Sequence, residues 1–265
     1  MKREGKSKRT SDTNLFPLSP SLLPRAAYGF ALAMNMITIL PFFKVHDFFK
    51  GINGYAVMFY PLVGALLGGI LYSVYLLLTP YFPAEHVKMI LLGLWVVMSG
   101  ALHLDGFADT VDGLYVPKER ARAVMKDPHV GGMGMLFSVL FLLLKASALW
   151  FLDAIYLLPV VLMLARYNAV LAIYLFPYIP QEGMGSLAKE EFTYRQLFWA
   201  TIVVLIFTLL MPKGWLLLIA SAVVLWGVKL LAMKRFGGFS GDLYGFLIEL
   251  SELILLNILL FGVLS

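Results

Sequence analysis

The chain has 265 residues, 60% of them apolar and only 14% charged, where ordinary soluble domains carry about a quarter charged residues. With a mean hydropathy of +0.84, too little polar surface remains to cover a globule in water, so a soluble protein is excluded and a polytopic membrane protein indicated. The absence of cysteine removes disulfides, thiolate nucleophiles and sulfur-ligated metal sites, and the net charge of +5 lies beside apolar runs, which fits membrane topology and not nucleic acid.

Residues 1–24 carry Lys2, Arg3, Lys6, Lys8 and Arg9 among Ser, Thr and Pro and read as a basic, disordered cytoplasmic tail. A signal peptide is the alternative, but no A-x-A-like cleavage site follows. Residues 25–265 read as one integral membrane catalytic domain. The first apolar stretch, about 26–43, holds Asn35 and Thr38 and is interrupted by Pro41, so it reads as re-entrant or interfacial. Seven further runs approach the roughly 20 residues a helix needs to cross a bilayer: about 55–79, 88–104, 133–152, 154–176, 197–211, 214–233 and 246–264. The run at 197–211 is the shortest.

Positive charge supports this count. If the first stretch does not cross, Lys88 and Lys213 alone lie outside, Lys145 and Arg166 fall within the membrane, and the rest of the 21 Lys and Arg lie inside, as the positive-inside rule requires. The expected fold is an all-α polytopic membrane helix bundle of about seven transmembrane helices plus one N-terminal re-entrant or interfacial segment. The expected location is the cytoplasmic membrane, with three polar connectors, about 105–132, 177–196 and 234–245, facing the cytoplasm.

The first connector follows His103 with Asp105, Gly106, Asp109, Asp112 and Gly113. Aspartates at i, i+4 and i+7 fall within about 60° of one helical face. Carboxylates so close repel one another unless a cation lies among them, and hard oxygen ligands suit Mg²⁺ with a bound phosphate. A solvated acidic face is the bland alternative. His103 falls on the opposite side of that helix and is either substrate-facing or a satisfied structural histidine. Next come Lys126, Asp127 and Pro128, then Gly131, Gly132 and Gly134 ahead of an apolar run. Glycine amides at a helix N-terminus favour phosphate, and Lys or Arg nearby neutralise diphosphate oxygens; a plain interfacial turn is the alternative.

The connector at 177–196 reads as a flexible loop. The last connector, Phe236-Gly-Gly-Phe-Ser-Gly-Asp242, leads to Glu249 and Glu252 inside the final run. Intramembrane carboxylates are costly and mark function, so Asp242 and Glu249, seven apart on one face, are expected to complete the metal or substrate site. Alternatively, Glu249 and Glu252 pair with Lys145 or Arg166, which otherwise bind phosphate. Gly64, Gly68 and Gly69 are expected to let helices approach closely.

His103-Leu-Asp-Gly-Phe-Ala-Asp-Thr-Val-Asp-Gly113, Met125-Lys-Asp-Pro128 and Gly131 to Gly134 resemble the signature of the cobalamin synthase (adenosylcobinamide-GDP ribazoletransferase) family. Tyr60-Pro-Leu-Val-Gly64, Gly183-Met-Gly185 and Gly237 to Asp242 with Glu249 resemble further landmarks in order, so the resemblance covers nearly all the chain beyond the tail. It implies a Mg²⁺-dependent membrane transferase for the last assembly of the cobalamin nucleotide loop. A ribose hydroxyl of α-ribazole or its 5'-phosphate attacks adenosylcobinamide-GDP, and GMP leaves.

On that resemblance, Asp105, Asp109 and Asp112 are expected to hold Mg²⁺, with Asp242 and Glu249 completing the site. Lys126, Gly131, Gly132 and Gly134 are expected to bind diphosphate, with His103, Lys145 and Arg166 as further substrate contacts. Asp109 or Asp127 is expected to accept the hydroxyl proton. Ile39 stands where the family pattern suggests Arg. A homo-oligomer, or an assembly with other corrinoid enzymes, is also open. The rival readings are a CDP-alcohol phosphotransferase, whose aspartate spacing differs, and a cation or solute transporter, which would place its acids mid-membrane.

Overall fold

The computed structural model describes residues 25–40, 48–179 and 184–261; the basic tail, Pro41 and the Gln181–Gly183 stretch lie outside them. Within these bounds the chain is helical: α1 (Arg25–Ile37), α2 (Ile52–Leu78), α3 (Ala84–Met98), α4 (Leu102–Leu114), α5 (Lys118–Val124) and α6 (Gly132–Phe151) are followed by α7 (Leu158–Leu175), α8 (Met184–Glu191), α9 (Tyr194–Leu209), α10 (Gly214–Arg235) and α11 (Gly241–Leu260). A 3₁₀ turn at Ile155–Leu157 leads into α7. The only extended pairing among the described residues is an isolated bridge between Tyr178 and Phe239.

Five of these elements, α2, α6, α7 with its 3₁₀ turn, α10 and α11, are long and apolar enough to cross a membrane, and the bent pairs α3–α4 and α8–α9 raise the count to seven. These match the seven apolar runs in order, and the chain is a multi-pass membrane helix bundle. Helix α1, with 13 residues, is about 20 Å long, shorter than the roughly 30 Å hydrocarbon core, and packs on α2. Burial sorts the spans: 78% of the apolar window of α7 and 67% of that of α11 are buried, against 28–33% for α2, α6 and α10. Helices α7 and α11 are therefore the centre, and the others turn leucines, valines and tryptophans outward, as a bilayer solvent permits.

Glycines set how tightly the central helices cross. A Cβ on Gly64 would lie 2.4 Å from the Leu162 carbonyl oxygen and one on Gly68 2.5 Å from Pro159, so α2 lies directly against α7; Gly69 faces open space. Gly106 and Gly245 do the same for α4 and α11, with Cβ positions 2.8 Å from the Asp242 carbonyl oxygen and 3.0 Å from that of His103.

Two departures from the sequence expectation shape the site. The run at 88–104 does not continue as one helix into the aspartates: α3 stops at Met98 and α4 leaves at 81°. Gly100 and Ala101 have φ of 63° and 53°, and their N–H groups donate to Val97 and Val96 carbonyls at 2.9 and 3.0 Å, the paired bonds that close a helix C-terminus. The connector at 177–196 is also not a plain loop, since its second half forms α8, which meets α9 at 92°. Glu191 at the end of α8 accepts from the Asn53 backbone and side-chain N–H groups at 3.0 and 2.9 Å, tying α8 to the start of α2.

The polar connectors gather at one end of the bundle. Arg122 donates to the Phe236 carbonyl at 2.6 Å, Arg235 to Gly113 at 2.8 Å, and Ile179 N–H to Phe239 at 2.8 Å. At the opposite end Lys88 donates to Trp150 at 2.9 Å and Lys213 to Phe261 at 3.2 Å.

Candidate active site

A cavity of about 330 Å³ opens at the polar end between α4 and the start of α11, closed on its other sides by Tyr60, Tyr178 and α8. The close crossing at Gly106 and Gly245 brings Asp105 of α4 and Asp242 of α11 to its rim. Asp242 sits in the first turn of α11, where a helix N-terminus favours negative charge, and the Ser240 hydroxyl caps that turn by accepting from Leu243 N–H at 3.4 Å. Rings stack beside it in order, Phe176 on Phe239 (5.4 Å), Phe239 on Tyr244 (5.5 Å) and Tyr244 on Tyr178 (6.0 Å), all within 16° of parallel.

Asp109 lies one turn further along α4 and is half-buried. The carboxylates of Asp105, Asp242 and Asp112 lie close enough to Asp109 to repel it. No lysine or arginine forms an ion pair with Asp105, Asp109 or Asp242 among the described residues. The cluster therefore carries uncompensated negative charge. No three Asp, Glu or His side chains among the described residues converge on one point. Hard carboxylate oxygens of this kind are the donors that Mg²⁺ takes, one or two at a time.

The third motif aspartate has a different employment. Asp112 is buried, and its two oxygens accept the backbone N–H groups of Gly131 and Gly134, each at 2.7 Å. A Cβ on Gly131 or Gly134 would lie 2.5 or 2.4 Å from those oxygens, so these glycines are small to admit the carboxylate. The N-terminus of α6, expected to receive phosphate, is filled by the protein's own anion. Gly132 is exposed with open space around it. Lys126 and Asp127 stand on the exposed turn before α6 and do not line the cavity. Asp127 accepts from His129 at 2.8 Å, and that side-chain bond, with one from the His129 backbone, holds its carboxyl below the usual range.

Glu249 is likewise not with the aspartates. Lys145 of α6, lying 4.1 Å above the Trp95 ring, donates to Glu249 at 2.9 Å and to Glu252 at 2.5 Å, and Arg166 of α7 pairs with Glu252. All four side chains are at least 94% buried. Two acids and two bases thus neutralise one another in the bundle centre, which leaves Lys145 and Arg166 as partners of the glutamates and not free phosphate ligands.

His103 is buried at the cavity wall, and its Nδ1 has no hydrogen-bond partner among the described residues. Sequence reasoning passed over Tyr60, Tyr178 and Tyr244, which also line the cavity. The signal was present, since Tyr60 opens one quoted landmark and Tyr244 follows Asp242 by two residues.

The family model described as CobS, cobalamin-5-phosphate synthase, matches residues 29–260. Curated relatives named adenosylcobinamide-GDP ribazoletransferase include one from Pseudomonas putida, 39% identical over 206 residues that cover 76% of this chain and 85% of the relative. One from Desulfitobacterium hafniense is 36% identical over 214 residues (75% and 83%), and one from Acinetobacter baumannii 32% over 239 residues (86% and 94%). No solved structure matches the chain. The family match runs from α1 to the end of α11 and so takes in the rim aspartates, the capped α6 terminus and the buried ion network alike: the chain belongs to the CobS, cobalamin-5-phosphate synthase, family.

Proposed function

We propose that this chain is an adenosylcobinamide-GDP ribazoletransferase working at the cavity rim, with the active site facing the cytoplasm. The observation that carries the site assignment is the uncompensated carboxylate cluster of Asp105, Asp109 and Asp242 over a half-open cavity at the polar end of the bundle. A ribose hydroxyl oxygen of α-ribazole, or of its 5'-phosphate, forms a bond to the cobinamide-linked phosphorus of adenosylcobinamide-GDP, the bond from that phosphorus to the GMP oxygen breaks, and GMP departs. Asp109 takes the hydroxyl proton; half-buried beside the rim, it is better placed than solvent-exposed Asp127.

One or two of the rim carboxylates of Asp105, Asp109 and Asp242 would hold Mg²⁺, which would offset charge on the diphosphate oxygens. Asp112 fixes α4 against α6, and the Lys145–Glu249–Glu252–Arg166 network fixes α6, α7 and α11, so both keep the rim carboxylates in register without touching substrate. Lys126, on the exposed turn, is free to meet the diphosphate from the solvent side.

Purified protein incubated with adenosylcobinamide-GDP, α-ribazole and Mg²⁺ is expected to yield the joined corrinoid and GMP in equal amounts, and none with EDTA. Full turnover in EDTA would remove the metal from the account, and no turnover from folded protein would remove the transferase. A reporter fused near Lys50 is expected on the cytoplasmic side; external placement would reverse the orientation.

A further inference from the structure

The rim aspartates account for only the mouth of the cavity. Below them no Asp, Glu, Lys or Arg lines the wall among the described residues. Two residues that line it each carry a buried polar atom with no hydrogen-bond partner among the described residues: His103 Nδ1, on a residue 4% exposed, and the Tyr244 hydroxyl, on a residue 8% exposed. A third, the Tyr60 hydroxyl, has only the Met36 sulfur at 3.6 Å. Buried polar atoms are rarely left unpaired, and three around one cavity mark places where a ligand's own hydroxyl or nitrogen completes the bonding.

The shape of the wall narrows the ligand. Tyr178 and Tyr244 both line the cavity and belong to the four-ring stack of parallel planes, a surface suited to another flat ring. At about 330 Å³ the space lies near the lower bound for small-molecule pockets, roughly 300–1,000 Å³; a nucleoside fits it and a corrinoid nucleotide does not. A phosphate inside would meet two carboxylates at the mouth and, among the described residues, no Lys or Arg within.

We propose that this cavity is the acceptor subsite: it takes the uncharged base-and-sugar part of a nucleoside with a flat aromatic base, such as α-ribazole, hydrogen-bonded by His103 and Tyr244, and leaves any phosphate outside. This rests on the transferase reading for the identity of the nucleoside. It places the reacting hydroxyl just beneath the rim aspartates, while the larger corrinoid donor stays outside and presents its diphosphate to the rim. His103 and Tyr244 then act on acceptor binding and not on the donor.

The test is equilibrium binding of labelled α-ribazole to the purified full-length protein, without metal or donor, alongside steady-state kinetics. Tyr244→Phe and His103→Asn are each expected to weaken α-ribazole binding and raise its KM about tenfold. The KM for adenosylcobinamide-GDP should stay within twofold of wild type, and inorganic phosphate should not compete. A general loss of structure would instead move both KM values, so the split between them is the deciding readout. Unchanged acceptor KM in both variants, or displacement of α-ribazole by phosphate, overturns the subsite even where the enzyme turns over normally. If wild-type protein turns nothing over but binds α-ribazole in a way that Tyr244→Phe weakens, the subsite stands and the transferase reading falls.

Discussion

Two groups of charged residues sit within this bundle, and they are treated in opposite ways. In the centre, Lys145, Arg166, Glu249 and Glu252 are withdrawn from solvent and paired with one another. At the rim, Asp105, Asp109 and Asp242 crowd together with no cationic side chain bonded to them among the described residues. Charges of the first kind neutralise one another, and their value lies in not being disturbed. Like charges of the second kind are unfinished, and the missing positive charge has to come from outside the chain. A single acidic helix, α11, contributes to both, with Asp242 at its mouth and Glu249 and Glu252 further in.

The comparison is broken most severely from the centre. Glu252→Ala leaves Lys145 and Arg166 buried without their shared partner, and loss of one member of a buried pair costs about 3–5 kcal/mol; thermal unfolding in detergent should show a large drop, with activity lost through misfolding. Asp109→Ala at the rim should do the reverse. Turnover is expected to fall at least about 100-fold, the lower range for removal of a positioned acid–base group, while the unfolding temperature holds or rises because a repulsion is relieved.

Smaller changes sharpen the boundary between the two groups. Gly106→Ala puts a methyl group 2.8 Å from the Asp242 carbonyl oxygen, and overpacking of this sort costs about 1–3 kcal/mol; spreading α4 from α11 should also raise the Mg²⁺ concentration needed for half-maximal activity. Asp112→Ala uncaps α6 and should cost about 0.5–2 kcal/mol without changing the metal requirement. If Asp112→Ala instead abolished metal dependence with stability intact, Asp112 would belong with the rim after all.

Much of the architecture is legible from the sequence because bilayer spans are written in composition: the seven apolar runs and the short, Pro-interrupted first segment need no tertiary information. The 81° break after Met98 was not legible, since it depends on positive φ at Gly100 and at Ala101, and alanine gives no hint of it. Asp105, Asp109 and Asp242 were found because charge clustered beside glycine is conspicuous. The roles of Asp112 and Glu249 were not separable from theirs by spacing alone. Helical periodicity put Asp112 on the metal face, yet a helix N-terminus arriving from Gly131 to Gly134 claims it. Glu249 shares a face with Asp242, but Lys145 reaches it from α6, a partnership that no local pattern encodes. No local pattern sets the tyrosines of the cavity wall apart, because aromatic residues are common in a membrane bundle, and only the cavity distinguishes them.

The most direct test of the division between rim and centre is GMP release from adenosylcobinamide-GDP and α-ribazole by purified wild-type, Asp109→Ala and Asp242→Asn proteins, each first shown to unfold at the wild-type temperature. The account predicts Mg²⁺-dependent release by wild type and at least about a 100-fold loss in Asp109→Ala, with a marked loss in Asp242→Asn. Wild-type rates from both folded variants would contradict it, and would move the chemistry away from the carboxylate rim.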